Sequence, residues 1–393
     1  MTSIAPGSVL DVHAHGTALG GSAVAKLPDG RVCFIPFAIP GETLRIHLTA
    51  VKKSFAEADL VEVLTPSPDR IAPRCAIAGR CGGCQYQHVT YDRQVALKSQ
   101  QLRDTLRRIG GVVREDIDEV HAAPEAWHYR NRLGLHPTTD GRRLGLMARD
   151  QRTVLPVATC PIARAEVNAA LAETTPTPGV RTTTIRWSPR GGTVSFAGNA
   201  EDLPPCQEVV GGQPYTVPAG SFAQVNPAVA DLLFALVGRW IGGLPATRVI
   251  DAYGGAGFLG LAVTDRPVVG LEVDPRSTEA ARANANARGL AASHTYEAGE
   301  VERLLEAHLA HDAATTALIL DPPRAGCAPG TIQTIRTHLP GWILYVSCEP
   351  STLARDLKLL TPVGYTVQRT ALLDMFPQTA HFESAVLLGR SGL

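Results

Sequence analysis

The chain has 393 residues, beyond the ~100–200 of a typical single domain, so two or three domains are expected. Basic and acidic residues balance at 37 each, with 45% hydrophobic and 19% charged side chains, which excludes a disordered chain and a uniformly basic tail. Neither a run of ~18 apolar residues nor a charged start leading into an apolar core occurs, so no membrane partner and a cytoplasmic location are expected.

Residues 1–64 read as short β segments cut by turn signals at Leu19-Gly20-Gly21, Pro28-Asp29-Gly30 and Pro40-Gly41, with Arg31–Phe37 and Thr43–Thr49 as apolar or alternating runs between them. Strands at this spacing predict a small barrel. The linker-like Thr65–Asp69 opens a central region, 65–215, where charge is uneven: residues 70–109 hold eight Lys and Arg against two acids. A helix is predicted over 91–109. Strands return from Arg130 to Cys160 around a hairpin turn at Thr139-Asp140-Gly141, with a second hairpin at Pro189–Gly192. From 216 to 393 the texture is β–α alternation. Apolar runs at Arg248–Ile250, Val268–Val273, Ala317–Leu320 and Trp342–Ser347 are separated by helical segments such as Pro275–Arg288 and Pro350–Leu360. The last two runs, Tyr365–Leu372 and Phe382–Leu388, leave no room for a crossover helix and are expected to pair antiparallel. The fold class is α/β: a small N-terminal β-barrel, a mixed central domain and a C-terminal doubly wound sheet.

Val249 to Gly257 reads as a strand entering a glycine turn that opens a helix, and Glu272 follows at the end of the next strand, where a carboxylate can hold a ribose diol. Gly255, Gly257 and Gly260 also satisfy the dinucleotide fingerprint, so a nicotinamide-dependent oxidoreductase is a rival. Asp251 argues against it. An acid at the first strand's end repels a pyrophosphate, whereas S-adenosylmethionine needs no pyrophosphate cradle. Two further strand ends carry polar groups to the same edge, Leu320-Asp321-Pro322-Pro323-Arg324 and Val346-Ser347-Cys348-Glu349-Pro350. Cys348 lies at a strand-to-helix corner, where a helix N-terminus is expected to lower its pKa.

These segments, with Phe222–Asn226, Tyr345–Asp356 and Asp374–Glu383, closely resemble the RNA uracil-5-methyltransferases. Gly20 to Arg70 resembles a TRAM domain, a small RNA-binding barrel. The resemblance implies a class I methyltransferase sheet using S-adenosylmethionine, with Cys348 as the nucleophile and Glu383 as the general base. It also implies cofactor contacts from Gln224, Tyr253 and Glu272, a place for Glu300 near them, and Asp321 beside cofactor and uracil. Arg324 is left unassigned. Tyr253-Gly254 departs from the Phe-Cys common in relatives. A catalytically silent RNA-binding protein is the remaining rival.

Eight cysteines in an unexported chain read as thiols for metal or catalysis rather than as disulfides. Cys75, Cys81 and Cys84 with distant Cys160 form a quartet whose spacing suits zinc or an iron–sulfur cluster. The resemblance favours [4Fe–4S], in the branch of the family that carries a barrel. It also favours ribosomal RNA as partner, with transfer RNA as the alternative; a monomer is the expected form. Phosphate contacts are expected from the basic stretch 70–109, from Trp127–Arg132 and from Arg142 and Arg143.

Overall fold

The computed structural model describes residues 4–198, 200 and 202–391, so the outermost residues of the first and last expected domains lie outside it. Strands β1 (Val9–Thr17), β2 (Ala23–Lys26), β3 (Val32–Ile35), β4 (Thr43–Val51) and β5 (Phe55–Thr65) close a barrel in the order β1-β2-β3-β5-β4. Period-two alternation drives the closure. Leu44, Ile46 and Leu48 of β4 point inward and are fully buried against small partners such as Ala14, Ala25 and Ala56, which keep the bore narrow. The segment after the barrel is tied down. Buried Glu42 accepts hydrogen bonds from Ile39 N (2.8 Å), Ser67 N (3.2 Å), Arg70 Nε (2.6 Å) and Arg70 Nη2 (2.7 Å).

The central region begins with α1 (Tyr91–Arg108) and β6 (Glu119–His121). It continues through β7 (Arg132–Pro137), β8 (Leu144–Met147), β9 (Val154–Pro156), α2 (Ala165–Glu173), β10 (Thr183–Ser188) and β11 (Gly192–Ala197). Both expected hairpins are present, and these strands form a sheet ordered β11-β10-β7-β8-β9. A separate hairpin, β12 (Cys206–Val210) and β13 (Gln213–Val217), leads to α3 (Pro227–Gly242).

The C-terminal sheet comprises β14 (Arg248–Ala252), β15 (Val268–Glu272), β16 (His294–Ala298), β17 (Thr316–Leu320), β18 (Trp342–Ser347), β19 (Tyr365–Leu373) and β20 (Glu383–Arg390). It also takes in β6, in the order β16-β15-β14-β17-β18-β20-β19-β6. β14 to β18 are parallel and β20 is antiparallel to β18 and β19, as the short final connection required. Both faces are apolar. Ile250, Leu318 and Tyr345 face α1 and the three helices α5 (Val301–Leu309), α6 (Pro329–His338) and α7 (Pro350–Leu360). Val249, Ile319 and Leu344 face α3, while α4 (Pro275–Ala287) packs against β13. Thus α1, central in sequence, is part of the helical layer on the C-terminal sheet. Among the described residues no helix is long and apolar enough to cross a membrane.

The glycine turn corrects one expectation. No α-helix follows it; the chain runs through turns and a short 3-10 segment, Gly260–Ala262, into β15. Asp251 Oδ2 accepts Gly260 N (2.8 Å), folding the segment back onto the strand end before a helix can start.

Candidate active site

In the parallel sheet the strand order reverses between β14 and β17, and a crevice opens beyond the carboxyl ends of such strands. Here it is a cavity of about 760 Å³, within the range that holds a cofactor-sized ligand. Gln224, Tyr253, Glu272, Asp321, Cys348 and Glu383 all line it. Five of these come from strand ends or the turns after them. Gln224 comes from the loop before α3, which Arg186 of β10 braces through the carbonyls of Pro218, Ala219 and Ser221 (3.3–3.4 Å). Glu300 is not among the lining residues: it is exposed and precedes α5, directly after Gly299, whose N donates to the carbonyl of cavity-lining Glu272 (2.8 Å).

The glycine turn presents backbone to the cavity. Tyr253 sits at φ +65°, a conformation that side chains rarely adopt, with its hydroxyl 2.9 Å from Thr331 Oγ1. A Cβ at Gly254 would crowd Asp251, meeting its Oδ2 at 3.1 Å and its carbonyl oxygen at 3.2 Å. Gly255 N donates to Glu272 Oε2 (2.9 Å) and Asp274 N to Glu272 Oε1 (2.8 Å), so two peptide donors fix the Glu272 carboxylate at the rim. Asp251 is a buried brace rather than a ligand group. Burial, with the Glu272 charge nearby, pushes its carboxyl up to about 7.

Cys348 and Glu383 meet for a topological reason. β20 runs antiparallel to β18, so its first residues lie beside the last of β18, Ser347 opposite Ser384. This brings a carboxylate from the end of the chain next to the thiol after β18. Glu383 is 3% exposed, not the solvated strand acid that its residue type suggests. Burial and the charge of Asp321 push it well above the usual carboxylate range, with Arg324 opposing. Asp321 itself is pushed up to about 7 by burial and by Asp251. The Cys348 thiol goes up to about 11, through burial and then Glu383 and Asp321, again with Arg324 opposing. This reverses the expected lowering by the helix N-terminus, because desolvation and two carboxylates outweigh the end of α7. Arg324, unassigned from sequence, is thus the cation beside the thiol; its place directly after Asp321-Pro322-Pro323 at the same edge was the available signal.

The cysteine quartet lines a second cavity of about 360 Å³, which shares Arg130, Arg324 and Phe376 with the first. The segment carrying the first three thiols is pinned to β8 through Gly82 N and the Met147 carbonyl (3.0 Å). Asn168 of α2 accepts from Cys160 N (2.7 Å). Burial, reinforced by its neighbours, pushes Cys84 up to about 12. Among the described residues no three His, Cys, Asp or Glu side chains converge as one metal ion requires.

A sequence profile of the tRNA (uracil-5-)-methyltransferase family matches residues 210–391, and a TRAM-domain profile matches 5–61. An uncharacterized RNA methyltransferase of Thermosynechococcus vestitus is 32% identical over 98% of this chain and 99% of its own. Another, from Gloeobacter violaceus, is 31% identical over 98% and 97%. Among solved structures, the tRNA (uracil-54, C5)-methyltransferase of Pyrococcus abyssi, in complex with S-adenosyl-L-homocysteine, superposes with a TM-score of 0.74 and 24% identity. The match covers 96% of this chain and 100% of that one, a likeness of fold.

Proposed function

The chain belongs to the tRNA (uracil-5-)-methyltransferase family of RNA methyltransferases and carries a TRAM barrel, and from that premise we propose that it makes 5-methyluridine in RNA with Cys348 as nucleophile and Glu383 as base. The observation that carries this reading is the meeting of Cys348, Glu383 and Asp321 with the glycine turn around one cavity.

The cavity's chemistry fits S-adenosylmethionine. Glu272 would take the ribose hydroxyls, Tyr253 and Gln224 would flank the ligand, and the acids would favour a cationic donor over a pyrophosphate. The missing α-helix after the glycine turn also deprives a dinucleotide of its usual phosphate site, which weighs against the oxidoreductase rival. When bound, the cofactor supplies an electrophilic methyl group to uracil C5.

Uracil C5 is a poor nucleophile until C6 is saturated. Cys348, as thiolate, adds to C6 and leaves an enolate whose C5 is nucleophilic. Once C5 is methylated, Glu383 removes its proton, the C5=C6 bond re-forms and the thiolate leaves. Arg324 offsets the charge of the thiolate while it forms.

The RNA class we assign is large-subunit ribosomal RNA, on the resemblance of barrel and quartet to that branch; transfer RNA is the second reading, favoured by the description of the family profile. For the quartet we propose [4Fe–4S]. Four thiols line one cavity, and the resemblance to the barrel-bearing branch of the family favours a cluster over one zinc ion. Supplied with methyl-labelled cofactor and unmodified transcripts of each RNA, the protein is expected to place label in 5-methyluridine of one of them, and Cys348→Ala none. No label in either RNA would overturn the assignment. Anaerobically purified protein is expected to be brown with about four iron atoms per chain; a colourless, iron-free preparation would overturn the cluster.

A further inference from the structure

The nine residues Asp374–Phe382 join β19 to β20 and deliver Glu383, which pairs with Leu373 across the strands. Much of this loop is held from the central region. Lys98 of α1 donates from Nζ to Asp374 Oδ1 (2.6 Å) and to the Phe376 carbonyl (3.1 Å). One turn earlier, Gln94 Nε2 donates to Gln378 Oε1 (3.0 Å), and Gln378 N donates back to Gln94 Oε1 (2.9 Å). Tyr129 Oη donates to the Pro377 carbonyl (2.9 Å), and Ala380 N to Gln85 Oε1 (3.1 Å).

Lys98 stands out within this set because both it and Asp374 are fully buried. Taking an ammonium out of water costs more than an apolar side chain would, and burial pulls its pKa down against the opposing pull of Asp374. Filling space alone does not account for a cation here. Its two bonds instead fix the first residues of the loop, at Asp374 and Phe376, and Phe376 lines the cavity.

We propose that Lys98 is a positioning residue for Glu383, holding the β19–β20 loop so that the carboxylate reaches the uracil C5 proton. This rests on the reading of Glu383 as the base. In the step concerned, the carboxylate takes the C5 proton, the C5–H electron pair becomes the C5=C6 double bond, and the C6–S bond breaks to return Cys348 as thiolate. Cys348, Tyr253 and Glu272 lie at other strand ends, so addition and methylation meet this loop only through the cavity wall at Phe376, whereas elimination uses the carboxylate that the loop delivers.

The test compares Lys98→Met and the charge-free pair Lys98→Met/Asp374→Asn with Glu383→Gln. Each is incubated with substrate RNA and methyl-labelled S-adenosylmethionine. Expected is a denaturant-stable, labelled RNA–protein adduct in all three, with elimination slowed at least about tenfold for a base displaced by under an ångström or so. Cofactor affinity should stay within about twofold, which shows that the variants are folded. The double variant leaves no buried unpaired charge and therefore guards against simple unfolding. Adduct from Glu383→Gln but from neither Lys98 variant overturns the positioning role. So does a loss of cofactor affinity that parallels the loss of turnover. No adduct from Glu383→Gln overturns the base reading, and this inference with it.

Discussion

A thiol set between two carboxylates keeps its proton. With Cys348 pushed up to about 11, only a small fraction is thiolate near neutrality in the ligand-free protein, and more forms only as the local charge changes. Iodoacetamide labelling of the Cys348 peptide should therefore rise about tenfold per pH unit from pH 7 to 10, since the thiolate is the reactive form. Glu383→Gln, which keeps a like charge from forming beside the thiol as the pH rises, should move that profile to lower pH. Arg324→Gln, which removes the opposing cation, should move it higher. Peptide mass spectrometry across the range reads both, and labelling that is flat above pH 8 would contradict the buried-thiol account. Cys348 and Glu383 stand out in the sequence because they sit in specific motifs, and the fold brings both to one cavity. The sign of the thiol's shift was not, since sequence shows the helix start but neither the burial nor the acids that reach the site from β17 and β20.

At the scale of elements, what reads from sequence is what carries its own periodicity. The two-residue alternation of the barrel strands, the helix over residues 91–108 and the long apolar strands of the parallel sheet declare themselves through side chains that one element alone must bury. β6 does not. It has three residues, Glu119–His121, with no apolar pattern, and is a strand only because the edge of β19 offers it unpaired peptide groups. The helix expected after the glycine turn failed for a similar reason. Tyr253, Gly255 and Gly257 hold positive φ, and Gly260 N bonds back to Asp251 across nine residues, so the chain turns where a helix would start. Glu300 reads as part of the site because it follows a strand of the same sheet. That strand, β16, is the edge strand, two strands from the switch point, and Gly299 just after it donates to the carbonyl of cavity-lining Glu272 (2.8 Å).

For the whole molecule, the question is what a chain of zero net charge offers to a polyanion. The eight cations of residues 70–109 looked like one open patch, yet the fold spends several internally. Arg70 is paired with buried Glu42 and Lys98 with buried Asp374, while Arg93, Arg103 and Arg107 lie beside Asp69, Asp116 and Asp104. This leaves exposed Arg80 and Arg108, and Arg74, whose guanidinium lies 4.8 Å from the centre of the Trp127 ring. Each neutralised phosphate releases counterions, so each real contact contributes about 0.7–0.9 to the slope of log K against log salt. RNA binding should weaken as salt is added, and Arg74→Ala, Arg80→Ala and Arg108→Ala should each make that slope shallower by about this amount. Arg70→Gln and Lys98→Met should leave it unchanged, because those charges face protein. Filter binding from low to moderate salt measures the slopes directly. Equal effects from all five variants would mean that the buried pairs open on RNA, and that the internal ties between barrel, α1 and the β19–β20 loop are released by RNA rather than built in beforehand.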